Sequence, residues 1–244
     1  MTGRLRAFLR LYAVQGAWNY ERMLGVGMGY AAEPLLEDLR RIDPVRHTEA
    51  VVRSAQFFNS HPYLAGLALG ASVRAEYDGA PGPQVSRLRT ALCSPLGALG
   101  DQLFWAGLLP AMVGLALAAI ALGAGPWVVV AFLVAFNLVR AWTAGWALRT
   151  GLRTGMMVGT AIGSSLIPRA AVAAGAAAGF SVGLATPLVA VWLAGALGRA
   201  ELLGAAGVAA AGVVASRLAG PRYAAPRFAL LAFGVTLLFR WVTR

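Results

Sequence analysis

The sequence predicts an all-α, polytopic integral membrane protein with an amphipathic N-terminal helical region and re-entrant or broken helices. Three observations predict it. Hydrophobic residues make up 59% of the chain, charged residues only 13%, and the mean hydropathy is +0.67, more apolar than an ordinary soluble domain. Several uninterrupted apolar runs approach the roughly 20 residues that cross a bilayer as a helix. The charge is also unevenly laid out: residues 1–101 carry eleven arginines against nine acids, whereas 102–244 carry ten arginines against Glu201 alone. The chain accordingly divides into an amphipathic, partly re-entrant helical region over 1–100 and a transmembrane helical region over 101–244.

Residues 4–40 read as helical, opening with Arg4, Arg6 and Arg10 interleaved with Leu5, Phe8, Leu9 and Leu11. That spacing suits an amphipathic helix on a membrane or along a partner. Within it, QGAWNY at 15–20 mixes aromatic and amide side chains, and Glu21 and Arg22 point to different sides of a helix. Gly25, Gly27 and Gly29 allow another backbone to approach closely. Residues 33–50, charged and holding Pro34 and Pro44, are expected to be the most water-exposed part. In FFNSHPY at 57–63, Pro62 disfavours helix at His61 and sets Asn59 and Ser60 at a break. Such a break serves as a surface turn or as the exposed backbone that lines a polar site. Residues 64–76 form a short apolar helix, and YDGAPGPQ at 77–84 a loop.

From Leu103 the membrane signal strengthens. Leu103–Gly123, kinked at Pro110, and Pro126–Leu148 form two spans joined by a short loop, hence an antiparallel hairpin. Asp101 and Gln102 stand at the lip of the first. A carboxylate near membrane depth is disfavoured by roughly 2.5–3.5 kcal/mol, so it is kept for a pathway, a pair or a ligand. The alternative is that Asp101 caps a helix beginning at Gln102. Asn137 and Arg140, three apart, share one face of the second span, and that face is expected to turn inward. Arg140 either neutralises Asp101 or snorkels to the interface.

The remaining residues are smoother. Gly155, Gly159 and Gly163, and again Gly175, Gly179 and Gly183, fall four apart and predict backbone-to-backbone helix contact, as ordinary packing or as a sliding surface. Residues 154–167 are short for a span and end at Pro168, as a re-entrant segment does. Residues 171–197, 202–218 and 228–242 are further membrane segments, with Trp192, Phe239 and Trp241 as interfacial anchors or packing groups.

Composition and motif content exclude several functions. A net charge of +11 is explained by basic loops facing anionic lipid, and no nucleic-acid partner is inferred. All 21 residues of the Lys and Arg class are arginine, a composition expected from nucleotide bias and one from which no function is drawn. Cys93 stands alone, which rules out an internal disulfide and a cysteine metal cluster. No metal or cofactor is expected. Tyr12, Gln15, Trp18, Asn19 and Glu21 interrupt any apolar core that a cleavable leader would need. The chain lacks GxxxxGK[ST], HExxH and a nucleophile elbow, and His47 and His61 lack an obvious catalytic partner. His61, in a proline turn among apolar neighbours, is read as structural.

Four stretches together, QGAWNYERM at 15–23, FFNSHP at 57–62, SPLGALGDQLFW at 94–105 and FNLVR at 136–140, resemble in order and spacing the IID component of mannose-type sugar phosphotransferase systems. The resemblance covers about residues 4–155. It implies a subunit of the bacterial inner membrane that pairs with a IIC subunit, as a hetero-oligomer, to carry a hexose by an elevator-like displacement. Phosphorylation then falls to cytoplasmic IIA and IIB components, so this chain is not itself the enzyme. Carried over by position, Asn59, Asp101, Gln102, Trp105 and Asn137 are the substrate-binding candidates. Asn19, Glu21, Arg22 and Arg140 are candidates for the partner interface or for structural roles. Gln102 stands where the family commonly has serine, enlarging the hydrogen-bonding set. The alternative is a non-transporting membrane scaffold or sensor on the same fold that docks phosphotransferase proteins.

Overall fold

A computed structural model describes residues 2–196, 198–218 and 224–243. The helices in chain order are α1 (Arg4–Leu11), α2 (Gly25–Ile42), α3 (Pro44–Ser54), α4 (Ala65–Tyr77), α5 (Gly82–Gly100), α6 (Leu109–Ala121), α7 (Trp127–Thr154), α8 (Val158–Gly163), α9 (Ile167–Ala196), α10 (Arg199–Leu218) and α11 (Ala224–Val242). No strand occurs among the described residues, only two isolated bridges. Two compact units are formed, Met1–Trp105 with Asn137–Val172, and Ala106–Phe136 with Ala173–Arg244.

The first unit is built around α4, which is buried on nearly all sides from Ala65 to Ala75. A helix apolar all round has no solvent face to keep and belongs in a core. Its glycines let α7 come close: a Cβ on Gly66 or Gly70 would press on the Leu148 and Leu152 backbone nitrogens, and one on Gly151 would overlap the Leu67 carbonyl. Around α4 lie Met28, Leu35 and Leu36 of α2, Phe58, Leu96, and Ala147 and Leu148 of α7, all buried. The glycines of α2 behave as the sequence predicts, Gly25 lying against the Gln56 carbonyl, Gly27 against Val14 and Gly29 against Ala55.

Several local expectations are corrected. Residues 4–40 are not one helix: α1 stops at Leu11, and 12–23 is a run of turns in which Met23 takes a left-handed φ of 52°. Residues 33–50 are not the most water-exposed part, because Pro34, Leu35, Leu36, Leu39 and Ala50 are buried. The turn expected at Pro44 is present, with Asp43 capping α3 by accepting from the Arg46 N–H at 2.9 Å. Glu76, buried on α4, draws in Arg53 (2.7 Å) and Arg46 (3.1 Å) and so ties α3 to the core helix.

Asp101 does not cap a helix start. Gly82–Ala121 is one continuous 40-residue helix rather than a span opening at Leu103, and Asp101–Leu108 is a π-helical stretch inside it. The wide turns lie immediately before Pro110, whose ring and missing N–H disturb the preceding α-type turn. Residues 154–167 are not a separate re-entrant piece: α8 extends α7 past a 3₁₀ turn at Gly155–Met157, where Gly155 has a φ of +51°. Among the described residues three helices, Gly82–Ala121, Trp127–Gly163 and Ile167–Gly195, are long and apolar enough to cross a membrane.

In the second unit Ala190, Ala194, Leu202, Ala206 and Leu237 of α9, α10 and α11 form one apolar cluster, with Trp241 packed on it and Trp192 and Phe239 exposed. Of the two predicted glycine tracts, a Cβ on Gly155 would stand 3.0 Å from the Arg74 Cγ, whereas one on Gly159, Gly163, Gly175, Gly179 or Gly183 would meet nothing within 4 Å among the described residues, so these five do not make the expected backbone contacts there.

Candidate functional site

The turns at 12–23 hold the break at 57–63 in place. Asn19 shapes its own loop, its Oδ1 accepting from the Arg22 N–H at 2.8 Å and its Nδ2 donating to the Ala17 carbonyl at 3.1 Å. The backbone then pairs with the second motif: the Leu24 N–H donates to the Phe58 carbonyl at 2.9 Å and the Phe58 N–H to the Arg22 carbonyl at 3.3 Å. Phe58 is fully buried, with the Arg89 guanidinium over its ring at 5.4 Å. Arg89 donates to the Ser54 and Gln56 carbonyls, a cation on the orphan acceptors at the end of α3. Sequence reasoning missed Arg89. The available signal was an arginine flanked by leucines, Leu88 and Leu92, in an apolar helix.

So held, the 57–63 segment faces the end of α5 across a groove of about 540 Å³. One wall carries Asn59, Ser60 and His61; the other carries Cys93, Ser94, Gly97, Asp101 and Trp105. Small residues keep it open: a Cβ on Gly97 would meet only the Ser60 Cα, at 3.9 Å. Gly100, by contrast, lies directly against the His61 ring. The groove thus pairs a carboxylate and an amide with the exposed indole of Trp105. That set can hydrogen-bond hydroxyl groups and cover an apolar ring face.

His61 anchors the groove from behind. It is 1% exposed, stacks on Phe104 at 5.1 Å and 13°, and meets Tyr63 and Trp105 at 4.8 and 5.1 Å. Burial pushes its pKa down from 6.5 to about 4, so it is neutral at pH 7. Nδ1 accepts the Tyr63 N–H at 3.3 Å, which leaves the proton on Nε2. Its structural part agrees with the sequence reading. The sequence did not reveal that it also lines the groove.

Arg140 does not neutralise Asp101. Its guanidinium lies over the Tyr12 and Tyr63 rings at 4.8 and 4.7 Å, and Tyr63 in turn meets Phe104 edge-on at 4.8 Å. Cation–π contacts of this kind contribute roughly 0.5–2 kcal/mol each. Residues from all four motifs therefore meet in one unit through the Met23–Phe58 pairing and the Arg140–Tyr63–Phe104–His61 stack.

Of the candidate residues, Asn59, Asp101 and Trp105 line one groove, whereas Gln102 and Asn137 are exposed outside its lining. The expectation that Asn137 and Arg140 turn inward together holds for Arg140 only. A stretch of helix at Asn137 is exposed on most sides, so three-residue spacing does not bury both. Glu21 and Arg22 are exposed, and Asn19 is half-buried in its turn.

Comparison with known proteins agrees with this convergence of motifs. The family model for the "PTS system mannose/fructose/sorbose family IID component" matches residues 2–193. The chain belongs to the IID family. This IID chain is 31% identical over 138 residues to the "PTS system mannose-specific EIID component" of Escherichia coli K12, covering 54% of this chain and 48% of that one. It is 30% identical over 141 residues to the "Fructose permease IID component" of Bacillus subtilis 168, covering 54% and 50%. The chain spans about half the length of the curated relatives it matches. Among solved structures, the mannose transporter ManYZ in complex with microcin E492 is similar with a TM-score of 0.56 and 26% identity, over 77% of this IID chain and 70% of that one. A chain described only as a membrane protein gives 0.65 and 27%, over 76% and 70%.

Proposed function

We propose that this IID chain is the membrane subunit of a mannose-type sugar permease in the bacterial inner membrane. It moves a hexose together with a IIC subunit, and phosphorylation takes place on IIA and IIB components. The observation that carries the reading is the groove where Asn59 and Asp101 stand beside Trp105. Hydroxyl groups bonded by Asp101 and Asn59 would be costly to leave unpaired with the wrong sugar, which makes these residues the source of selectivity. Trp105 covers an apolar ring face. Gln102 and Asn137, exposed in the isolated chain, are where a second subunit completes the sugar site. Asn19 and Arg140 hold the local fold, and Glu21 with Arg22 offers charges to the IIC interface.

The test is hexose uptake in cells carrying the complex with Asp101→Asn, Asn59→Ala or Trp105→Ala, with co-purification of the partner subunit measured in parallel. Uptake is expected to fall at least about tenfold, the loss of one hydrogen bond to a charged group, with assembly unchanged. Full uptake in all three variants would refute the assignment of the groove, and a wild-type complex that moves no sugar would leave the scaffold reading in its place.

A further inference from the structure

A second groove lies in the same unit, away from the candidate sugar site. It runs between α1 and the second half of α7 with a volume of about 370 Å³, and its floor is apolar: Leu5, Phe8, Gly145, Leu148 and Leu152. Arg4 and Arg149 complete the lining. Arg149 is held over the groove because its Nε donates to the Gly145 carbonyl at 3.2 Å, and a Cβ on Gly145 would stand 3.3 Å from its Nη2 and 3.6 Å from Phe8. The missing side chain at Gly145 is what keeps the floor open.

Three further features bear on the occupant. Trp142, Trp146, Thr150 and Arg153 share an adjoining hollow with Arg149, so two indoles followed by two guanidiniums line one hollow on a helix long and apolar enough to cross a membrane. Tryptophans and arginines so placed mark the head-group level of a bilayer. No acidic side chain is paired with Arg4, Arg149 or Arg153 among the described residues; the nearby Glu33 is engaged by Arg10. Leu5 and Leu9, 71% and 58% exposed, extend the apolar surface of α1 outward.

We propose that this groove binds one phospholipid with an anionic head group. An acyl chain lies along Phe8, Leu148 and Leu152, and the phosphate meets the guanidiniums of Arg149 and Arg4, which offer several N–H donors each. The lipid would tie α1 to α7 and so fix the segment that leads into the turns supporting the sugar groove. A protein partner would have to bring both a carboxylate and an apolar wedge to the same narrow slot, whereas an anionic phospholipid carries both.

The experiment is native mass spectrometry of the chain, purified in mild detergent with whatever subunit accompanies it, after titration with phosphatidylglycerol or with phosphatidylcholine of the same acyl chains. Phosphatidylglycerol adducts are expected to dominate. The double variant Arg4→Gln/Arg149→Gln is expected to weaken them about thirtyfold, at roughly fivefold for each arginine near an anionic surface. Gly145→Leu, which fills the floor without changing charge, should also remove them, and Arg87→Gln, an exposed arginine on α5, should leave them unchanged. Equal retention of both lipids, unchanged adducts in the double variant, or displacement by inorganic phosphate alone would overturn the proposal. So would crosslinking of the Gly145→Cys variant to a second protein subunit instead of access to lipid.

Discussion

Substituting Gly100 tests how the groove is held open. The Cβ of Gly100→Ala would overlap the Cβ and Cγ of His61, atoms too close to the backbone for a rotamer change to clear them. The imidazole cannot retreat either, because it is stacked on Phe104 and tied by the Tyr63 N–H. Overpacking of a filled site costs about 1–3 kcal/mol, while replacing a helical glycine by alanine returns about 0.5–1 kcal/mol. The net is a destabilisation of about 0.5–2 kcal/mol. Gly97→Ala, one turn earlier on the same helix, is the internal control, since its Cβ makes only an ordinary contact with Ser60. It should gain the propensity term alone. Thermal unfolding in detergent, at about 2–4 °C per kcal/mol for a chain of this size, should move the two variants in opposite directions. A Gly100→Ala protein as stable as Gly97→Ala would refute the packing of His61 against α5.

Two further predictions concern charge and packing. His61 has a folded pKa of about 4 against 6.5 unfolded, so the unfolded chain binds the proton first; the stability from its neutral form is complete above about pH 6.5 and is lost as pH falls towards 4. The loss is up to about 3 kcal/mol, and the pH dependence of unfolding should flatten in His61→Phe; equal slopes in the two proteins would sink the assignment. Gly151→Leu should abolish the monodisperse peak in detergent size-exclusion, because its Cβ overlaps the α4 backbone at about 3 kcal/mol or more. Gly159→Leu, facing open space in the isolated chain, should leave that peak unchanged, and the reverse pattern would contradict the α4–α7 crossing.

Much of the site's raw material was legible in the sequence, and less of its arrangement. Pro62 announced the break at 57–63 because its effect on the preceding residue is local. Gly25, Gly27 and Gly29 announced close approach. Glycine followed by aspartate before an apolar run is the local signature of a helix start, so the sequence leaves a cap at Asp101 open beside a pathway, pair or ligand role. The π-helical turns that carry the chain through Asp101 to Pro110 leave no comparable signature. Gly66 and Gly70, the glycines that α7 packs against, form only a pair and no longer regular tract to mark them, whereas Gly159, Gly163, Gly175, Gly179 and Gly183 of the regular tracts meet nothing within 4 Å among the described residues.

By itself the sequence determined the class of protein, the presence of apolar runs long enough to cross a membrane, the proline break at 57–63 and the four motifs. These depend on the transfer free energy of apolar side chains and on the conformational limits of proline and glycine, both properties of short stretches. Only the tertiary structure decided that Arg140 rests on tyrosines instead of pairing with Asp101, that Asn59 and Asp101 share a groove while Asn137 does not, and that His61 is buried behind it. Those outcomes depend on contacts between residues about 40 to 130 positions apart, such as His61 with Phe104 and Tyr12 with Arg140. Distances of that kind are set by how whole helices pack, and no local pattern encodes them.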